Sequence, residues 1–228
     1  MDEAMLARRA EAAKARAQGG VTRGDRPRQR RCAPNEGSRA AMSARARIEL
    51  RAAGEDSGLL HFHGVASAYE QAYEMYDFWG PYTEVVSAGA GAVSLARADL
   101  DVPLVLAHDS LRRIARTTNG TLVLSESDDG LEVDAPSLDP GDADVAYIAP
   151  KLRAGLVDEM SFMFRIVRGH WSPDYSEYRI DEYDIHRGDV AIVGFGANPF
   201  TSGDLRSQAV TLERIRSRVV TSKYLTHV

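Results

Sequence analysis

Three side chains of this chain have the types needed to share the work of acyl transfer: Ser161, His108 and Asp189. A serine hydroxyl is weakly nucleophilic at neutral pH, so it needs a base to take its proton and an acid to orient that base. Ser161 stands in Asp158-Glu159-Met160-Ser161-Phe162-Met163-Phe164-Arg165, and His108-Asp109 ends the apolar run Val102-Pro103-Leu104-Val105-Leu106-Ala107. Asp189 opens Val190-Ala191-Ile192-Val193-Gly194-Phe195. All three therefore belong to, or border, runs that read as strands. Polar residues at strand ends are common, so residue types alone do not separate a hydrolase from an ordinary sheet.

The elements that must position these groups are mostly strands. Alternation along 159–166 puts Met160, Phe162, Phe164 and Ile166 on one face and Glu159, Ser161, Met163 and Arg165 on the other, so the serine looks away from the greasiest face. Earlier strands are expected over 46–52 and 59–66, with others over 111–116, 121–125, 131–135 and 178–183, punctuated by turns such as Asn119-Gly120 and Asp128-Asp129-Gly130. A helix is expected over 142–156: Asp142 or Asp144 can cap it, and Val145, Ile148, Leu152 and Leu156 recur at three and four residues. Pro150 should kink it or divide it into two pieces. A shorter helix is expected over 91–98.

Tyr69, Tyr73, Tyr76, Phe78, Trp79 and Tyr82 crowd one segment whose charged neighbours are Glu70, Glu74, Asp77 and Glu84, with no Lys or Arg. That charge rules against base stacking on nucleic acid. The expectation is a loop packed over a β-barrel, with a contribution to substrate binding as the sharper reading.

The ordered set of motifs resembles the prohead proteases of tailed bacteriophages, capsid maturation serine proteases whose barrel is similar to that of the herpesvirus assemblins. The matching residues are Leu106-Ala107-His108-Asp109, Gly120-Thr121-Leu122, Gly130-Leu131, Ser161-Phe162-Met163-Phe164, and Asp189 through Ala197-Asn198-Pro199, spanning about residues 45–205. The resemblance implies a mainly β fold, a closed antiparallel barrel of about seven strands with peripheral helices. It implies Ser161 as nucleophile, His108 as general base and then acid, and Asp189 as the orienting acid. By sequence proximity alone Asp109, Asp184 and Glu182 remain open for the last role. It further implies a serine endopeptidase that processes the major capsid protein's scaffolding region or a separate scaffold, and itself. That work takes place in the prohead interior, after assembly in the host bacterial cytoplasm, with no metal or organic cofactor. Self-association as a homodimer is also suggested. Two departures stand out: Met163 where relatives often have a small residue, and Gly196 where they often have Pro.

Composition sets the frame. With 228 residues, 44% of them hydrophobic, the chain can bury one substantial core. No apolar run approaches the roughly 20 residues that span a bilayer, so no membrane partner is expected. Residues 1–40 carry ten Lys or Arg against five Asp or Glu, and 201–228 carry five against two. The middle carries thirteen against twenty-six, within a net charge of −5. An acidic body with basic ends is a poor specific binder of nucleic acid. Low apolar content in the ends suggests a flexible basic extension over 1–41, a catalytic domain over 42–205 and a flexible tail over 206–228. The lone Cys32 can form no internal disulfide. His61 and His63 share a strand face and could supply two metal ligands. The alternatives to an enzyme are thus a non-catalytic capsid assembly or scaffold-binding factor, or a β-domain holding a metal at these two histidines.

Overall fold

The computed structural model describes residues 58–194 apart from Phe78, together with 20–27, 31–32, 34–35, 38–39, 49–52 and single positions between 7 and 18. The conclusions drawn for the C-terminal tail, for Gly196 and for Ala197-Asn198-Pro199 lie outside the described residues, as does most of the expectation for 1–41.

After three two-residue strands (Arg31–Cys32, and Pro34–Asn35 paired with Ser38–Arg39), the longer strands, in chain order, are β1 (Glu49–Ala52), β2 (Leu60–Ala68), β3 (Ala72–Asp77), β4 (Gly80–Val86), β5 (Pro103–Leu106), β6 (Asp109–Arg116), β7 (Val123–Glu126), β8 (Gly130–Leu138), β9 (Glu159–Trp171) and β10 (Glu177–Val193). Among the described residues they are interrupted by two α-helices, α1 (Ala92–Leu95) and α2 (Ala143–Arg153), and by a 3-10 turn over Thr117–Asn119. In β2 the alternation is direct: Leu60, Phe62 and Ala66 are buried, while His61 and His63 on the other face are partly exposed.

The architecture is mainly β, but the expected closed barrel is not what forms. One sheet runs β3-β4-β10-β5-β6, with β9 paired to β10 and the two residues Arg31–Cys32 on the outer edge of β3. A second sheet runs β7-β8-β2-β1. Among the described residues no ladder joins the two or closes either. Nor is the pairing all antiparallel, since β10 lies parallel to both β4 and β5. The reason lies at the free edge of β9. Where it meets β2, side chains interleave in place of backbone pairing: a Cβ on Gly64 would lie 2.6 Å from Met160 Sδ, so the bare backbone at Gly64 makes room for the methionine. Leu60, Phe62, Leu131, Val133 and Met160 then merge with Leu104, Tyr183 and Ile185 into one core.

Three further expectations change. The aromatic segment is a hairpin, β3–β4, with Tyr73 and Tyr82 buried, and Glu84 accepts hydrogen bonds from both hydroxyls. Burying tyrosines against an acid satisfies the hydroxyls that a greasy loop would have left to water. Helix α2 starts as expected, with Asp142 Oδ1 accepting from the Asp144 and Val145 amides at 2.8 and 3.0 Å. It remains one helix through Pro150 and stops before Leu156, which is 75% exposed. Finally, the two runs expected around 178–193 form a single bent strand, β10.

Candidate active site

β10 is the axis of the site. Along its C-terminal half, Val190, Ala191 and Ile192 pair with Leu104, Val105 and Leu106 of β5 on one side, while Ala191 faces Ser161 of β9 on the other. Cross-strand neighbours share a face, so Ser161, Ala191 and Val105 form a row. Asp189, two residues before Ala191, lies on the same face opposite Met163. Val105 and Ala191 of this row join Val193 in a small buried apolar cluster separate from the main core.

His108 reaches that face from a strained turn. β5 and β6 are joined by two residues, with Leu106 paired to Asp109. The central residues Ala107 and His108 have φ of +54° and +58°. Both central positions at positive φ is the I′ hairpin pattern, normally filled by Asn-Gly, and it costs L-residues without such side chains. A strained turn that displays a histidine has its cost met by surrounding contacts. One is visible on β6: Arg112 donates from its Nε and a terminal amino group to Asp144 Oδ1 at 2.8 and 2.6 Å and lies over the Tyr147 ring, tying the hairpin to α2.

The imidazole meets Asp189. Nδ1 of His108 and Oδ1 of Asp189 are 2.7 Å apart, and the two side chains are 31% and 9% exposed. With the carboxylate accepting, the Nδ1–H donates, and the proton-accepting lone pair is left on Nε2 at the far side of the ring. Asp189 and Ser161 are diagonal neighbours across the β9–β10 ladder, about 7–8 Å apart by strand geometry. An imidazole hydrogen-bonded at both nitrogens spans a comparable gap. The Ser161 hydroxyl itself is nearly buried, at 6% residue exposure, and makes no hydrogen bond with His108 in this structure. Such bonds often close only when substrate is bound.

The competing acids are engaged elsewhere. Asp109 is exposed and accepts from the Leu111 amide at 2.9 Å. Glu182 faces Arg168. Asp184 accepts from Ser94 Oγ and Arg165; burial alone would raise its carboxyl, but hydrogen bonds from the His186 amide, Ser94 and Arg165 outweigh burial and hold it below the usual range. Arg165, on the same face of β9 as Ser161, makes its ion pair with Asp184.

A bulge sets Asp189 in place, and sequence reasoning missed it. Met163 pairs with Asp189 but Arg165 with Asp184, so 185–188 oppose a single residue of β9. Gly188 is required at the tightest point, because a Cβ there would lie 1.8 Å from the Met163 carbonyl oxygen. The bulge is pinned by the Arg187 amide donating to Asp101 O at 2.9 Å and the Ile185 amide donating to Ser94 Oγ at 3.0 Å. The Arg187-Gly188 pair was the only local signal for it.

His61 and His63 lie on the second sheet, outside the Ser161–Asp189 row. His61 Nε2 is 2.6 Å from Asp134 Oδ1, and His63 Nε2 is 3.0 Å from Glu132 Oε2. Among the described residues no group of three or more His, Cys, Asp or Glu is arranged to hold a metal, and no helix is long and apolar enough to cross a membrane.

A family model described as Caudovirus prohead serine protease matches residues 47–214, well over half of the chain. No curated protein and no solved structure matches it.

Proposed function

Because this chain belongs to the Caudovirus prohead serine protease family, we propose that it is an endopeptidase with Ser161 as nucleophile, His108 as base and then acid, and Asp189 as the acid that fixes the imidazole. The observation that carries this reading is the His108–Asp189 hydrogen bond of 2.7 Å, made from a strained turn onto the sheet face that also bears Ser161. Ser161 Oγ attacks the scissile carbonyl while His108 Nε2 takes its proton. The same imidazolium, stabilised by Asp189, returns that proton to the departing amine. Water then repeats the sequence on the acyl-enzyme. Exposed Met163, opposite Asp189 and two residues from Ser161, borders the cleft and bears on which side chains fit.

The substrates in this reading are the major capsid protein's scaffolding region or a separate scaffold, and the chain's own ends, inside the prohead assembled in the host cytoplasm. Confinement there raises effective concentration, so little intrinsic affinity is needed. The enzyme acts as a homodimer and needs no metal or organic cofactor. The test is co-expression with the capsid protein of the same phage, with and without Ser161→Ala, reading new termini by intact mass. Termini that vanish with Ser161→Ala, while melting is unchanged, support the mechanism. Equal cleavage in the variant removes Ser161 from it, and no cleavage by the native chain favours a binding role in assembly.

A further inference from the structure

Arg16 has no neighbour in the sequence that marks it out, yet its guanidinium is fully buried at the opposite end of the serine strand from Ser161. Nε donates to Asp77 Oδ2 at 3.0 Å, and one terminal amino group donates to Asp77 Oδ1 and to the Gly80 and Pro81 carbonyls, each at 3.1 Å. The other terminal amino group donates to Tyr175 O at 3.4 Å. The guanidinium Cζ lies 4.8 Å from the Trp171 ring centroid and 5.4 Å from that of Tyr82. A carboxylate fork, three carbonyls and two aromatic walls are what a planar, weakly hydrated guanidinium needs and an ammonium fits poorly. Asp77 is pre-set for the task, since its Oδ1 also accepts from the Trp79 and Gly80 amides at the β3–β4 turn.

The chain after Arg16 continues the attachment. Val21 packs on the core. Trp171 donates its amide to Arg23 O at 2.8 Å and its indole N–H to Asp25 O at 2.9 Å. In return Arg23 Nε donates to Trp171 O, and Arg26 reaches Val167 O. These bonds occupy the distal part of β9's free edge, where β9 has no strand partner other than β10 among the described residues.

We propose that Arg16 and residues 20–27 act as a strap integral to the folded body, seated by an arginine-binding socket formed by Asp77, Tyr82, Trp171 and the carbonyls of Gly80, Pro81 and Tyr175. The family match begins at residue 47 and so omits the strap. A chain begun at Met42 would leave Asp77 buried with half its partners gone. Because Trp171 lies ten residues along β9 from Ser161, about 33 Å, the strap braces the sheet without covering the candidate active site. The inference does not rest on the catalytic reading.

The test nicks the full chain after it has folded. A recognition site for an unrelated protease is placed between Gln29 and Arg30, the purified protein is cut, and the fragments are run on gel filtration. The native 1–29 fragment should co-elute with the body, Arg16→Lys should weaken that association, and Arg16→Ala should release it. In the uncut chain Arg16→Ala should lower the melting temperature by roughly 10 °C. Arg16→Ala with Asp77→Ala should recover part of that loss, because no buried carboxylate is then orphaned. A native fragment that separates on nicking overturns the strap, and it does so whether or not any variant folds. Release that is the same for native, Arg16→Lys and Arg16→Ala fragments overturns the arginine socket.

Discussion

Replacing Asp189 with Asn should nearly abolish cleavage while Asp109→Asn leaves it almost intact. The acid's Oδ1 is 2.7 Å from His108 Nδ1 and its side chain is 9% exposed, so the contact is short and shielded from water. An Asn side chain of the same shape can donate its amide N–H to Nδ1. That stabilises the tautomer with the proton on Nε2, the nitrogen that must accept the serine proton. Loss of the correct tautomer and of the charge facing the imidazolium is worth about 10⁴ in rate, or about 5.5 kcal/mol of barrier. Asp109, by contrast, is exposed and only accepts from the Leu111 amide, a role that Asn fills equally well. The assay is the rate at which new termini appear on purified capsid precursor, followed by intact mass, with melting curves run in parallel. If Asp189→Asn cut within about tenfold of the native rate, or if Asp109→Asn fell as far, the assignment of the orienting acid would be wrong.

Other outcomes follow from the same geometry. Gly188→Ala drives a Cβ into the Met163 carbonyl, so melting temperature and cleavage should fall together; an unchanged melting curve would show that the bulge yields freely. Ala107→Gly relieves a positive φ at the expense of unfolded-chain entropy, so calorimetry should show neutral to slightly higher stability, up to about 1 kcal/mol, with cleavage retained. A loss there would mean that the Ala107 methyl group makes a contact that matters. At low pH, Asp101 is held below the usual carboxylate range chiefly by its hydrogen bonds from Arg116, and Asp184 is likewise depressed. Groups depressed in the folded state lend stability above their unfolded pKa, about 3.9, and lose it as pH falls toward the folded value. The melting temperature should therefore drop below about pH 4, and less steeply in Asp101→Asn with Asp184→Asn; an identical slope would exclude these two carboxyls as the cause.

The sequence by itself determined what local rules reach. Alternation put Ser161 and Met163 on one face of β9, and the ladder with β10 keeps them there. Apolar spacing and an acidic cap gave α2, whose Asp142 caps as expected. The ordered motifs pointed to the family that the match over 47–214 shows. The tertiary structure decided everything set by distant contacts. Whether strands close into a barrel depends on whether edges meet backbone to backbone, and Met160 passing Gly64 exchanges that pairing for side-chain packing. Which acid faces His108 depends on a turn at positive φ and a bulge held by Gly188, neither of which has a periodicity to read. Arg16, in a run of Ala, Lys and Arg, reads as solvated tail. Only the fold supplies the carboxylate, carbonyls and aromatic walls, 61 to 159 residues away in the chain, that make it worth burying.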